Sequence, residues 1–112
     1  MALAGSDSEA LACFVKAIEI DPGYCNAYFN AGDLLYRNAQ YEDAANSYIA
    51  GLEVNPNHPS GFFVLGNCLF QTRNFAAAAD LYRQELVRDA NHDQARSNLD
   101  LAEGLIADNI AA

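Results

Sequence analysis

Residues 62–70 read FFVLGNCLF, and residues 28–36 read YFNAGDLLY. Taken alone, the first stretch fits a membrane segment, a buried strand or a helix. Set above one another, the two pair Tyr28 with Phe62, Phe29 with Phe63, Gly32 with Gly66, Leu35 with Leu69 and Tyr36 with Phe70, each 34 residues apart. The offset continues downstream through Ala44 with Ala78, Ala45 with Ala79, Tyr48 with Tyr82, Leu52 with Leu86, and Asn57-His58 with Asn91-His92. One step back, Ala10, Phe14, Ile18 and Asp21-Pro22 stand 34 residues before Ala44, Tyr48, Leu52 and Asn55-Pro56. A fixed period of this length signals stacked supersecondary units and overrides the local reading of any one stretch.

Each period holds two apolar stripes at helical spacing, Tyr28, Ala31, Gly32, Leu35 then Ala44, Tyr48, Gly51, Leu52, and Phe62, Leu65, Gly66, Leu69 then Ala78, Tyr82, Leu86. Strands would alternate by two, and these stripes do not. Polar turns separate the stripes, Asn38-Ala39-Gln40 and Thr72-Arg73-Asn74, while Pro56 and Pro59 end one unit and open the next. The pattern predicts helices near 7–20, 25–38, 41–54, 59–72, 75–88 and 93–108. Asn91, three places before Gln94, predicts an N-cap with a capping-box partner for the last helix. Gly32 and Gly66 lie on buried stripes, where glycine costs up to about 1 kcal/mol of helix propensity, so they predict close helix packing.

A 34-residue helix-turn-helix period with these residues resembles the tetratricopeptide repeat family. The resemblance rests on Tyr28, Ala31, Gly32, Leu35, Ala44, Tyr48, Gly51 and Pro56, then on Phe62, Leu65, Gly66, Leu69, Ala78, Tyr82 and Leu86. Ala90 replaces the family's usual proline, and Glu85 its usual small residue. The resemblance implies an all-α fold, a right-handed superhelix of antiparallel helix pairs with about six helices and a C-terminal capping helix. As a single domain over 1–112, it would comprise a partial repeat at 7–24 with only the second helix, full repeats at 25–58 and 59–92, and a cap at 93–110. On that last helix, Leu99, Leu101, Ala102, Leu105 and Ile106 are expected inward.

Charge narrows the partners. Fifteen acidic against six basic residues give a formal net charge of -9, which disfavours nucleic acid and anionic membrane surfaces. A basic or apolar protein or peptide suits this chain better. No apolar run approaches the roughly 18 residues of a spanning helix, and MALAGSDSEA lacks the flanks of a signal peptide. Cys13, Cys25 and Cys68 are odd in number and have no CxxC spacing, so they predict small hydrophobes in a reducing, cytoplasmic setting rather than a disulfide or zinc framework.

In the family, the first helix of each pair lines the concave face. The off-stripe residues there are Asn26, Phe29, Asn30, Asp33, Tyr36 and Arg37, then Ser60, Phe63, Asn67, Phe70 and Gln71, with Gln94, Ser97 and Asn98 on the last helix. They predict a peptide groove with aromatic anchors and asparagine amides for the peptide main chain. The competing reading packs the same rings between helices. Four such rings at about 1.5–3 kcal/mol each give a gross gain of the same order as the estimated cost of association, so binding should be modest. The faces that hold basic residues in carboxylate-binding relatives carry Phe29, Asp33 and Phe63 here, so that clamp is not expected.

No catalytic, cofactor or metal site is predicted. His58 and His92 lie a full repeat apart, too far to share a zinc, and no nucleophile has an assignable base. The chain is therefore expected to be a non-catalytic interaction module. Two alternatives remain at this stage, a self-associating unit and a regulatory fragment of a larger enzyme. The first arises because the chain starts in the phase of a second helix, which leaves Ala10, Phe14 and Ala17 facing a missing partner; excision from a longer array, a homodimer through this end, and cover of Phe14 by the next unit alone are the three expectations that fit.

Overall fold

The computed structural model describes residues 5–111, with side chains through residue 108; the reading of the first residues as free of a targeting signal falls partly outside them. Six α-helices follow in chain order: α1 (Gly5–Ile20), α2 (Cys25–Arg37), α3 (Tyr41–Val54), α4 (Gly61–Gln71), α5 (Phe75–Arg88) and α6 (Asp93–Ala111). No strand forms among the described residues. Two compact units divide at Gly61 and Phe62.

In the first unit, α2 and α3 form a hairpin, and α1 packs on α2. Gly32 makes the hairpin close: a Cβ there would lie 2.5 Å from the Tyr48 ring, which is itself only 2% exposed. The polar turn is a Schellman motif. Ala39 takes φ 61°, its N–H donates to the Tyr36 carbonyl, and the Gln40 N–H donates to the Leu35 carbonyl at 2.9 Å. The core comprises Ala27, Phe29, Ala31, Leu34, Leu35, Ala44, Ala45 and Tyr48. Tyr28, expected on the buried stripe, is half-buried, and its hydroxyl donates to the Pro22 carbonyl at 3.1 Å.

No residue of α1 is fully buried. Its start is tied down instead by Asp7, whose carboxylate pairs with Arg37 and accepts from Asn38 Nδ2 at 2.8 Å. Those hydrogen bonds, from Asn38 first and Arg37 second, hold the Asp7 carboxyl below its ordinary 3.8.

The second unit repeats the hairpin with α4 and α5. Gly66 faces Tyr82, where a Cβ would meet the ring at 2.8 Å, and Arg73 takes the Schellman position at φ 66°. Cys68, expected as a small hydrophobe, is fully buried. The start of α4 is later than the expected residue 59, because Ser60 adopts a left-handed φ of 65° after Pro59 and postpones the first turn. On α6, Ala95 and Ala102 are buried, with Leu99 and Ile106 half-buried. Leu101 and Leu105, expected inward, are exposed, since they lie off the stripe that runs through 95, 99, 102 and 106 at the 3.6-residue period.

The loops between repeats carry one device three times. Asp21, Asn55 and Asp89 each accept, through a side-chain oxygen, the N–H two residues on, from Gly23, Asn57 and Asn91. These Asx turns close each unit whether or not proline follows, which accounts for Ala90 being tolerated at its position.

Candidate functional site: a polar cleft beside Phe63

Phe63 and Phe29 occupy equivalent places and have different fates. Phe29 is only 5% exposed, stacks on His58 at 3.7 Å and lies over Gly51, where a Cβ would meet its ring at 2.7 Å. This corrects the expectation that Phe29 lines a groove: it is a core residue, admitted by Gly51. In the next unit the residue at that offset is Glu85, 3% exposed, and its Oε1 accepts the Phe63 N–H at 3.2 Å. A buried carboxylate thus satisfies one of the free donors in the first turn of α4, with favourable sign toward the helix dipole. With Glu85 in place of glycine, the Phe63 ring remains half-buried, 4.5 Å from the His92 ring.

The freed ring forms one wall of an open cleft of about 460 Å³, lined also by Asn67 on α4 and by Asp93, Gln94, Ser97 and Asn98 on α6. Asn67 is fixed from two sides. Its Oδ1 accepts the Tyr82 hydroxyl at 2.7 Å and Asn98 Nδ2 at 3.1 Å. The α6 wall is set by His92, whose Nδ1 accepts the Ala95 N–H at 3.1 Å. His92 therefore caps α6 in place of the expected Asn91, whose own N–H is turned toward Asp89.

Of the residues proposed from sequence, Phe63, Asn67, Gln94, Ser97 and Asn98 come together around this cleft. Asp93, exposed in the first turn of α6, joins them. In the first unit, Asn26 and Asn30 are exposed, and Asp33 accepts the Tyr48 hydroxyl at 2.5 Å, the counterpart of the Asn67–Tyr82 bond. Tyr36 and Phe70 form edge-on ring pairs with Tyr41 and Phe75, at 5.1 and 5.2 Å, beside the hairpin turns. Phe70 is not part of the cleft lining. No group of three or more histidine, cysteine or acidic residues suited to a metal occurs among the described residues, and no helix of theirs is long and apolar enough to cross a membrane.

Two helix hairpins at a 34-residue offset, each closed by glycine under tyrosine, define an all-α helical-repeat protein. The chain belongs to the tetratricopeptide repeat family, whose profile matches residues 29–96; a second profile, TPR repeat, matches residues 3–39. A search of curated protein sequences finds no significant match. Solved structures share the fold at low identity. The first TPR of Spaghetti (RPAP3), bound to the HSP90 peptide SRMEEVD, superposes with a TM-score of 0.85 at 19% identity, covering 92% of this chain and 84% of that one. The second TPR domain of human RPAP3, in complex with the HSP70 peptide SGPTIEEVD, gives 0.82 at 16% identity over 88% and 82%. YrrB, a TPR protein with an unusual peptide-binding site, gives 0.81 at 22% identity, with 95% of this chain covering 56% of that one.

Proposed function

We propose that this chain is a non-catalytic protein-interaction module that holds an extended segment of a partner protein in the cleft beside Phe63. The observation that carries the reading is the Asn67–Asn98 pair. The bond from Asn98 Nδ2 to Asn67 Oδ1 fixes both amides, so that Asn67 Nδ2 and Asn98 Oδ1 supply a donor and an acceptor, the complement of a peptide main chain. Phe63 supplies the adjacent apolar surface for a side chain. Family members with the same fold and bound peptides, the two RPAP3 domains, support this use. A single ring contributes about 1.5–3 kcal/mol, so affinity from this unit alone is modest.

The test is a pull-down compared across wild type, Phe63→Ala and Asn98→Ala, with thermal melts of all three. Both variants should lose partners while Asn98→Ala still unfolds cooperatively. Unchanged capture by a folded Asn98→Ala protein would overturn the reading. A cytoplasmic setting goes with it, supported by three free cysteines.

A second reading, self-association through α1, is favoured by one observation. Phe14 is only half-buried where its counterparts Tyr48 and Tyr82 are enclosed, and Val15 and Ile20 on the same helix are exposed. Light scattering at several concentrations should then show a mass that rises for wild type and stays monomeric for Phe14→Asp.

A further inference from the structure

We infer that the cleft selects a basic segment, one that sets a lysine or arginine against Asp93 and an apolar side chain on Phe63. The inference rests on the reading of the cleft as a peptide site and adds the chemistry of its occupant. Among the six lining residues, Asp93 alone carries a charge, and it makes no ion pair among the described residues. The other polar oxygens of the lining that an ammonium or guanidinium can also reach are on Gln94, Ser97 and Asn98.

Counter-charge for an anion is missing because every cation of the second unit is engaged outside the lining. Residues 62–112 contain no lysine and four arginines. The guanidinium of Arg73 lies over the Phe75 ring at 5.7 Å, and that of Arg88 over Phe62 at 5.4 Å. Arg83 pairs with Asp80 and Glu103, at 2.9 and 3.2 Å. Arg96 donates to the Ala90 carbonyl at 3.2 Å. An acidic peptide entering the cleft therefore meets Asp93 with no cationic side chain in the lining to offset it, whereas a basic one gains a partner there. The net charge of -9 steers the same class of ligand toward the protein.

Random peptides displayed on phage are selected against the whole protein and, in parallel, against Asp93→Asn and Asp100→Asn. These two variants carry the same net charge, and Asp100 is an exposed residue of α6 outside the cleft lining. Peptides enriched on wild type should carry Lys or Arg next to an apolar residue. Titrated as an end-blocked synthetic peptide, the leading sequence should shift the side-chain amide resonances of Asn67 and Asn98. Asp93→Asn should weaken it roughly threefold to fivefold, the worth of a partly exposed ion pair, with little change in Asp100→Asn. Neutral or acidic winners that shift the same two amides would overturn the basic preference and leave the peptide site standing. Winners of any charge that leave those amides unmoved would overturn both. Basic winners weakened equally by the two variants would show response to net charge alone and overturn the inference.

Discussion

The ring of Phe29 occupies the space that a Cβ on Gly51 would need, with a closest approach of 2.7 Å. Phe29 has little room to retreat, since its ring is stacked on His58 and packs against the Tyr48 ring. Gly51→Ala should therefore destabilise the protein by about 1–3 kcal/mol despite the gain in helix propensity, as overpacking does in a filled core. Gly104→Ala on α6 is the control, because nothing lies within 4 Å of a Cβ there; it should stabilise by about 0.5–1 kcal/mol. Urea denaturation of both variants reads the sign directly.

Ala39 holds a left-handed conformation that an L side chain adopts at a cost. Ala39→Gly should raise stability by up to about 1 kcal/mol, because the relief of strain exceeds the added entropy of the unfolded chain. A thermal midpoint at or below that of wild type would show that the turn tolerates alanine without strain.

The pairing of Asp7 with Arg37 and Asn38 makes the attachment of α1 sensitive to acid. Its carboxyl titrates below the ordinary 3.8, so the folded state favours the ionised form. The stabilisation is fully present above the unfolded pKa and is lost as pH falls through the lower folded value. Wild type should thus exceed Asp7→Asn in stability at neutral pH, with the difference vanishing below that window. Salt should shrink it as well, because Arg37 is largely exposed. Stability curves of the two proteins against pH check both points.

His92 links the cap of α6 to the wall of the cleft, through Ala95 on one side and Phe63 on the other. His92→Ala should cost about 0.5–2 kcal/mol, the range for losing an N-cap. His92→Asn, which retains a capping oxygen, should recover much of that loss. If hydrogen exchange in the first turn of α6 is the same in all three proteins, the cap has no such role.

How much of this was legible beforehand differs by element. The helix pairs were readable because a 34-residue offset repeats both stripes, and burial of a stripe follows from helical periodicity. Asn67 and Asn98 were recognisable as polar residues off that stripe. Phe29 was misplaced because periodicity assigns a face without saying what stands opposite; Gly51 was visible as a small residue, its meaning for Phe29 was not. Asp93 carries no groove signal in the sequence, because an acid in a first helical turn is ordinarily explained by the helix dipole.

By itself, the sequence determined the helical class, the repeat length, the turns and the acidic balance, all set by local chemistry or by spacing along the chain. Only tertiary structure decided which of two equivalent phenylalanines would be core and which would wall a cleft. That outcome depends on whether the facing helix presents Gly51 or Glu85, a matter of volume and of a buried hydrogen bond between segments far apart in the chain.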